Sequence, residues 1–327
     1  MALYRARGLL EFFLSDAPGT TYGSDKTAVA NTMADNEAIL IMPNGADGEG
    51  PEPQVWGQPL YEKETPVEGS SWYMENDYEH RDAAFEEIFH LVHDFGIGTD
   101  MPGALPEYQQ ALLAEAEEAL EDGRWGIPID PEMDNWIEEL RREGSLAQEY
   151  IASVIDSYYG LWGPWTEDVG GMWGIYIAKT RDEVKTSDPD GMALLESFLP
   201  PYVSYEVRID PECEGSFSMT FDEAKPYTHK SRYLLNATLT GANSSGLIGN
   251  DRDNRLRGNA GDNNLDGREG DDIAVFKGAR DEYTIVHNDD SITVSDSISD
   301  RDGSDTLVNI EFVKFCDGSL PSDSLGK

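Results

Sequence analysis

The sequence has few basic residues for its length. Its 327 residues include 24 lysines and arginines against 64 aspartates and glutamates, and the formal net charge is −40. A chain this acidic repels phosphate backbones and anionic lipid headgroups, and no cluster of lysine or arginine reverses the charge locally. The composition therefore excludes nucleic acid as a partner and favours divalent cations, a saline medium, or both as the reason for the acidity.

Long apolar runs and paired cysteines are also missing. No run of about 18 apolar residues occurs, so we expect no membrane span. Residues 9–14 are too short and too polar, with Glu11 among them, to form an export signal. Cys213 and Cys316 are far apart in sequence, and we expect two unpaired thiols. The length predicts about two domains.

The first 240 residues predict an α-rich domain. Residues 1–35 are polar and read as an irregular arm, followed by a short strand at 37–42 and a Pro/Gly-rich loop. Apolar residues at helical spacing, with proline at starts and glycine after ends, predict four helices: Glu79–Phe95, Pro106–Asp122, Pro131–Arg142 and Ser145–Tyr159. Alternating apolar residues between 205 and 239 predict strands, which we expect to close this domain, 36–240.

Residues 247–273 repeat with a period of nine. The three copies are LIGNDRDNR, LRGNAGDNN and LDGREGDDI, each with leucine at its first position and glycine at its third. A short fixed period with glycine and aspartate predicts a parallel β-roll, in which each copy supplies a turn and a strand. The leucines are expected to face a narrow core.

This pattern resembles the RTX, or haemolysin-type, calcium-binding repeat G-G-x-G-x-D-x-U-x. The consensus aspartate falls on Asn254, Asn263 and Asp272, so an amide replaces the carboxylate in two of three copies. The resemblance implies Ca²⁺ held by side-chain and carbonyl oxygens of successive turns, at one or two sites. The candidate calcium ligands are Asp251, Asp253, Asn254, Asp262, Asn263, Glu269, Asp271 and Asp272.

Residues 305–318, DTLVNIEFVKFCDG, resemble the segment that follows RTX repeats as a β-cap. A cap is needed because the last turn would otherwise expose an unpaired strand edge. The resemblance implies secretion by a type I system without an N-terminal signal peptide, and folding of the roll on calcium outside the cell. It predicts that chelation unfolds residues 246–318 first. The fold class is thus α+β, with the α-rich domain followed by a short parallel β-roll and cap at 241–327.

Two of the five histidines, His90 and His93, share one face of the helix predicted at 79–95. A rotation of about 100° per residue places Glu86, His90 and His93 within about 60° of one another, with Glu87 on the flank. Imidazole and carboxylate groups bind zinc and other transition metals. The face is therefore a candidate metal site; an ordinary solvated or core-packed face and metal-free histidine acid–base chemistry are the alternatives.

The same segment resembles a degenerate zincin H-E-x-x-H helix, with Glu86 in place of the first histidine. The resemblance implies Glu86 and His90 as zinc ligands and Glu87 as the general base of a peptidase. His93 remains a further candidate ligand.

The fourth predicted helix supplies another candidate. Glu149 resembles the downstream glutamate ligand of gluzincin peptidases. The same resemblance implies that Asp156 orients a ligating histidine by a hydrogen bond without binding the metal itself. His229 is an alternative ligand or an oxyanion partner. The sequence leaves this choice open.

An aromatic, glycine-rich stretch at 158–176 includes Trp162 and Trp165, and it predicts either core packing or a stacking platform for sugars. The expected function is a secreted, extracellular calcium-binding RTX-type protein whose N-terminal domain is a metal-dependent hydrolase of peptidase type. A carbohydrate-binding or adhesion module and a structural surface or matrix protein are the alternatives. The expected cofactors are calcium and zinc, and the expected partners are divalent cations with an extracellular peptide or glycan.

Overall fold

The computed structural model describes residues 1–49, 54–76, 78, 81–99, 102–167 and 169–325. The chain divides into two units. The helical unit comprises Leu9–Thr65 and Tyr78–Pro201, and the roll unit comprises Met1–Gly8, Pro66–Asp77 and Tyr202–Lys327. Helices and parallel-rich sheets are both present, which confirms the α+β class.

The α-helices follow one another along the chain with a single π-helical turn among them. They are α1 (Ala2–Leu14), α2 (Thr27–Asp35), α3 (Ser71–Glu75), α4 (Ala84–Val92), the π-helix His93–Gly98, α5 (Pro106–Glu121), α6 (Met133–Glu143), α7 (Leu146–Tyr158), α8 (Arg181–Ser187), α9 (Pro189–Glu196) and α10 (Thr228–Ser231). No α-helix in the described part of the chain is long and apolar enough to cross a membrane.

Helix α7 lies at the centre of the helical unit. Every residue of this fully described helix except Glu149 is buried. Its neighbours are α4, α5, α6, α8 and α9. A helix that is buried on nearly all sides has packing partners all around it. Glu149 is the one partly exposed residue of α7, so the packing around α7 is open to solvent at this position.

The prediction of an irregular arm at 1–35 is wrong. These residues form α1 and α2, and α1 buries Leu9, Phe12 and Phe13 on one face. The i, i+3, i+4 spacing of these three apolar residues is typical of a helix anchored by its packing. The polar composition of residues 15–35 concealed this short apolar segment when the whole stretch was taken together.

The predicted helix at 79–95 is shorter in the structure. Glu79 lies outside the described residues, α4 ends at Val92, and the chain continues as the π-helix. Gly96, expected to stop the helix, lies inside this π-helix. A Cβ there would come 2.7 Å from Val29 Cγ1 on α2, so the glycine permits close packing of the two helices. The other three predicted helices match α5, α6 and α7 within about two residues.

Fourteen strands are present among the described residues. They are β1 (Leu40–Ile41), β2 (Gln58–Pro59), β3 (Val203–Ile209), β4 (Ser216–Ser218), β5 (Leu234–Leu239), β6 (Gly246–Ile248), β7 (Arg255–Arg257), β8 (Asn264–Asp266), β9 (Ile273–Val275), β10 (Tyr283–His287), β11 (Ile292–Asp296), β12 (Ser304–Val308), β13 (Phe312–Phe315) and β14 (Gly318–Pro321). Strands β1 and β2 pair in parallel in the helical unit. The roll unit has two six-stranded sheets, β10-β11-β12-β8-β6-β4 and β14-β13-β9-β7-β5-β3.

The nonapeptide strands alternate between the two sheets. Leu247 on β6 lies opposite Leu265 on β8, and Leu256 on β7 lies opposite Ala274 on β9, so each full turn of the roll contains two nonapeptides. Leu247, Leu256 and Leu265 are fully buried. The parallel roll with inward-facing leucines is confirmed.

The strands between 203 and 239 differ from our expectation. We placed them in the N-terminal domain, but β3 and β5 extend the sheet of β7 and β9, and β4 pairs with β6. The division at residue 240 therefore separates strands that hydrogen-bond to one another. Alternation specifies which side chains face inward but does not specify which strand is the partner.

Both ends of the roll are covered. At the first turn, the Asp210 N–H donates to the Glu68 carbonyl (2.7 Å), and Arg5 Nε donates to the buried Glu68 Oε1 (2.8 Å). At the other end, β12 and β13 continue the parallel sheets, and the antiparallel strands β10, β11 and β14 finish them. The segment at 305–318 thus occupies the predicted capping position.

Candidate metal centre

Helices α4 and α7 bring three metal-ligating side chains together. Glu86 and His90 lie one turn apart on α4, and Glu149 lies on α7. One ligand atom from each residue lies within 4.8 Å of the other two. Glu86 and His90 are only 4% and 5% exposed. Within the described part of the chain this is the one such group of three, and sequence analysis predicted all three members.

The imidazole of His90 is held between two carboxylates. Its Nδ1 lies 3.6 Å from Glu87 Oε2, and its Nε2 lies 3.8 Å from Glu149 Oε1. The Nε2 atom is buried and has no hydrogen-bond partner among the described residues. Because buried polar atoms are normally satisfied, this nitrogen is available to a ligand.

Glu87 is fixed on its other sides. Gln58 Nε2 donates to Glu87 Oε2 (2.6 Å), and Arg81 Nη2 donates to Glu87 Oε1 (3.3 Å). The predicted general base is therefore engaged by an amide and a guanidinium, and it faces the Nδ1 side of His90. These contacts suit a carboxylate that orients the imidazole.

The centre holds more negative than positive groups. Arg81 Nη1 lies 2.9 Å from Glu86 Oε2. Burial, with the carboxylates of Glu87 and Glu149 nearby, raises the pKa of Glu86 to about 7 despite Arg81. Burial lowers the pKa of His90, but the surrounding carboxylates more than offset this and raise the pKa to about 10. A cation placed here would relieve the repulsion between carboxylates that the shift of Glu86 reports, and it would supply the positive charge that the carboxylates favour on His90.

His93 is not part of the group. It is fully buried, and its Nε2 lies 2.5 Å from Gln109 Oε1 on α5. Burial lowers its pKa to about 4, so it is neutral at pH 7. Helical spacing placed His93 on the same side as Glu86 and His90, but His93 begins the π-helix that follows α4, and this π-helix packs against α5. The expectation that His93 is a ligand is therefore not supported by its placement.

Asp156 and His229 also differ from their expected places. Asp156 is buried, and its Oδ2 accepts a hydrogen bond from Trp162 Nε1 (3.2 Å) instead of contacting a histidine. Burial and the negative charge of Glu86 raise the pKa of Asp156. His229 lies on α10 in the roll unit, where its ring packs against Phe221.

The aromatic stretch packs into the helical unit. Trp162 and Trp165 are 3% and 8% exposed, and their rings contact each other and Tyr78. This is the core-packing alternative of the sequence analysis. Neither tryptophan presents an exposed face for stacking a sugar.

The amides at the consensus positions of the roll are fully hydrogen-bonded. Asn263 Oδ1 accepts from the Asn259 N–H (2.8 Å), and its Nδ2 donates to the Ser245 carbonyl (3.1 Å). Asn254 repeats this arrangement one strand earlier: its Oδ1 accepts from the Asn250 N–H (2.7 Å), and its Nδ2 donates to the Leu235 carbonyl (3.3 Å). Amide N–H groups therefore face carbonyl oxygens of the preceding turn, where calcium was expected.

The acidic candidates at the turns accept backbone hydrogen bonds or are exposed. Asp253 Oδ1 accepts from the Asp271 N–H (3.0 Å), and Asp262 Oδ1 accepts from the Ser304 N–H (2.8 Å). The side chains of Asp251, Glu269 and Asp271 are exposed at the turns. The described part of the roll has no group of three acidic or histidine side chains as compact as the one on α4 and α7.

Two buried carboxylates in the last turn are different. Asp272 Oδ1 accepts from the Asn254 N–H (2.7 Å), and Asp305 Oδ1 accepts from the Asn263 N–H (2.9 Å). The second oxygen of each has no hydrogen-bond partner among the described residues. Burial raises the pKa of Asp272 to about 7 and of Asp305 to about 8, with nearby acids adding to both shifts. Sequence analysis missed Asp305 because it lies outside the nonapeptides, although it begins the cap motif.

Comparisons with known proteins found no relative. No protein-family model, no curated protein and no solved structure matches the chain.

Proposed function

We propose that the helical unit is a metal-dependent hydrolase of peptidase type, with Glu86, His90 and Glu149 as the metal ligands. The observation that carries this proposal is the three-residue group, in which Glu86 and His90 are buried and Glu149 is partly exposed, with an unbonded His90 Nε2. Three protein ligands leave one position of a tetrahedral zinc ion open, which is the arrangement of catalytic zinc sites.

The geometry fits zinc. Tetrahedral bonds of about 2.1 Å place neighbouring ligand atoms about 3.4 Å apart, and His90 Nε2 lies 3.8 Å from Glu149 Oε1. Small side-chain rotations would close this gap. When bound, zinc would supply Lewis acidity to a scissile carbonyl and lower the pKa of a coordinated water.

Two neighbouring residues support the ligands in this proposal. Glu87 orients His90 from its Nδ1 side, so that Nε2 points at the metal position. Arg81 binds both Glu86 and Glu87; its charge opposes the rise that burial causes in the pKa of Glu86 and helps to lower the pKa of Glu87. The extracellular peptide predicted from the sequence is the proposed substrate.

Peptide hydrolysis is the experiment that tests this proposal. We expect the zinc-loaded full chain to cleave members of a mixed peptide library, with products identified by mass spectrometry. Glu149→Gln should abolish cleavage, because it weakens a ligand, and Glu139→Gln on the exposed surface of α6 should leave it unchanged. Cleavage that survives Glu149→Gln, or zinc-loaded protein that cleaves no peptide, would contradict the hydrolase proposal.

We also propose that calcium binds in the last turn of the roll, at Asp272 and Asp305. The observation that favours it is the unpartnered, buried second oxygen of each carboxylate. Asp272 precedes β9 in one sheet and Asp305 lies on β12 in the other, so each carboxylate would hold its own ion. Calcium takes carboxylate and carbonyl oxygens, and its charge would stabilise each ionised group. We propose an extracellular location, where calcium is plentiful, on the basis of this calcium site.

The pH dependence of roll stability tests the calcium proposal. Asp272 and Asp305 have folded pKa values above those of the unfolded chain, so the folded state binds more protons between about pH 4 and pH 8. Without calcium, their contribution to stability is therefore present at low pH and is lost as pH rises towards 8. We expect calcium at pH 8 to restore that stability.

The double variant Asp272→Asn/Asp305→Asn isolates these two groups from the many other acids. Its melting temperature in chelator should fall less between pH 5 and pH 8 than that of the wild type, and calcium should raise it less. Identical pH and calcium responses in the variant and the wild type, measured by circular dichroism, would refute calcium binding at these residues.

A further inference from the structure

A cavity of about 440 Å³ lies on the roll unit, and two arginines line it. Arg208 is on β3 and Arg257 is on β7, and both register with Thr238 on the intervening strand β5. Their inward-facing neighbours Val207 and Leu256 are buried in the core. The two arginines and Thr238 therefore form one row across three strands on the outer face of the sheet.

Neither arginine is neutralised by the protein. Among the described residues, no carboxylate lies within ion-pair distance of Arg208 or Arg257. The Arg208 guanidinium lies 4.7 Å from the ring of Tyr4, and Arg257 Nε is buried without a hydrogen-bond acceptor. In a chain with 64 acidic and 24 basic residues, two arginines in one row of a sheet without a carboxylate partner are unexpected.

The other charged residues at the cavity are largely compensated. Glu206 is 3.0 Å from Arg255 Nη1 and accepts a hydrogen bond from the Thr238 hydroxyl. Lys277 is 3.0 Å from Asp302. Asp300 is an exposed acid at the cavity. The charge that has no partner in the row of Arg208, Thr238 and Arg257 is positive, which is opposite to the net charge of the whole chain.

We propose that this cavity binds an anionic group of the phosphate or sulfate type, held between Arg208 and Arg257. Guanidinium groups offer planar pairs of N–H donors that match the oxygens of such anions, and Arg257 Nε would gain the acceptor that it lacks. A cavity of this size exceeds one tetrahedral anion, so the group would belong to a small organic molecule. This site is independent of the proposed metal centre.

Isothermal titration of the full chain with inorganic phosphate, inorganic sulfate and glycerol 3-phosphate tests the proposal. We expect saturable binding, tightest for glycerol 3-phosphate if the anion is part of a larger molecule and equal for all three if the free ion is the ligand. Arg257→Gln should weaken binding about tenfold or more, and Arg208→Gln/Arg257→Gln should abolish it.

Arg268→Gln is the matched control. It removes the same charge from an exposed turn of the roll unit, where Arg268 lies beside Asp266, and it should leave the affinity unchanged. Arg208 is itself exposed, so Arg208→Gln tests the site even if Arg257→Gln fails to fold. Absence of saturable binding by all three probes, or an equal loss of affinity in Arg268→Gln, would overturn the proposal.

Discussion

His90→Ala should abolish zinc retention by the full chain, and Glu149→Gln should weaken zinc binding by at least about a hundredfold. Each change removes one of three protein ligands from a site with no fourth side chain in reach among the described residues. Equilibrium dialysis against a zinc buffer, followed by elemental mass spectrometry, measures the effect. Glu149 is only partly buried, so its substitution by the isosteric glutamine perturbs packing less than the loss of His90.

His287→Ala and Glu139→Gln are the matched controls for these two variants. His287 lies exposed on β10, and Glu139 lies exposed on α6. Both should bind zinc as the wild type does. Zinc that is retained at full stoichiometry by folded His90→Ala would show that the metal binds elsewhere.

Asn263→Asp should destabilise the roll unit by about 3 kcal/mol or more in chelator. The substitution removes the N–H donors that satisfy the Ser245 and Asn243 carbonyls. It also places a buried negative charge beside Asp305, whose Oδ1 binds the Asn263 N–H. Calcium should recover much of the loss, because the substitution restores the consensus carboxylate and frees the carbonyl oxygens for a cation.

Asn264→Asp is the control for this change. Asn264 is the next residue on β8, but its side chain is exposed. We expect little change in its urea midpoint, with or without calcium. Equal stability of Asn263→Asp and Asn264→Asp in chelator would show that the amide hydrogen bonds do not hold the turns together.

The hydrogen bonds of the Asn254 and Asn263 side-chain amides also change our expectation for the wild type. The RTX resemblance implies that chelation unfolds the roll, yet Asn254 and Asn263 already join neighbouring turns without a metal. We now expect these turns to keep their circular dichroism signal in chelator, and the last turn to respond to calcium.

The elements with a strong local signal were predictable from the sequence. Helix α5 begins at Pro106 as predicted, and Leu247, Leu256 and Leu265 face the core as the repeat requires. The partners of β3 and β5 were not predictable, because parallel pairing joins segments that are distant in sequence and leaves no local pattern.

The candidate site was likewise predictable where the signal is local and unpredictable where it depends on tertiary packing. Helical periodicity placed Glu86 and His90 on one face of α4, and the structure brings Glu149 to them. Periodicity could not separate His93 from the ligands, since the approach of α5, which brings Gln109 to His93, depends on tertiary packing. An asparagine side chain can offer its oxygen to a metal ion, so the sequence allowed Asn263 as a ligand. In the structure, the amide nitrogen of Asn263 faces the backbone carbonyls and donates hydrogen bonds to them.

Zinc-edge X-ray absorption of the loaded full chain tests the central claim most directly. The metal centre on α4 and α7 predicts one imidazole nitrogen and carboxylate oxygens at about 2.0–2.2 Å, with no sulfur. The imidazole signal should disappear in His90→Ala. A spectrum with sulfur ligands, or one with oxygen ligands alone in the wild type, would contradict the assignment of Glu86, His90 and Glu149 as the metal site.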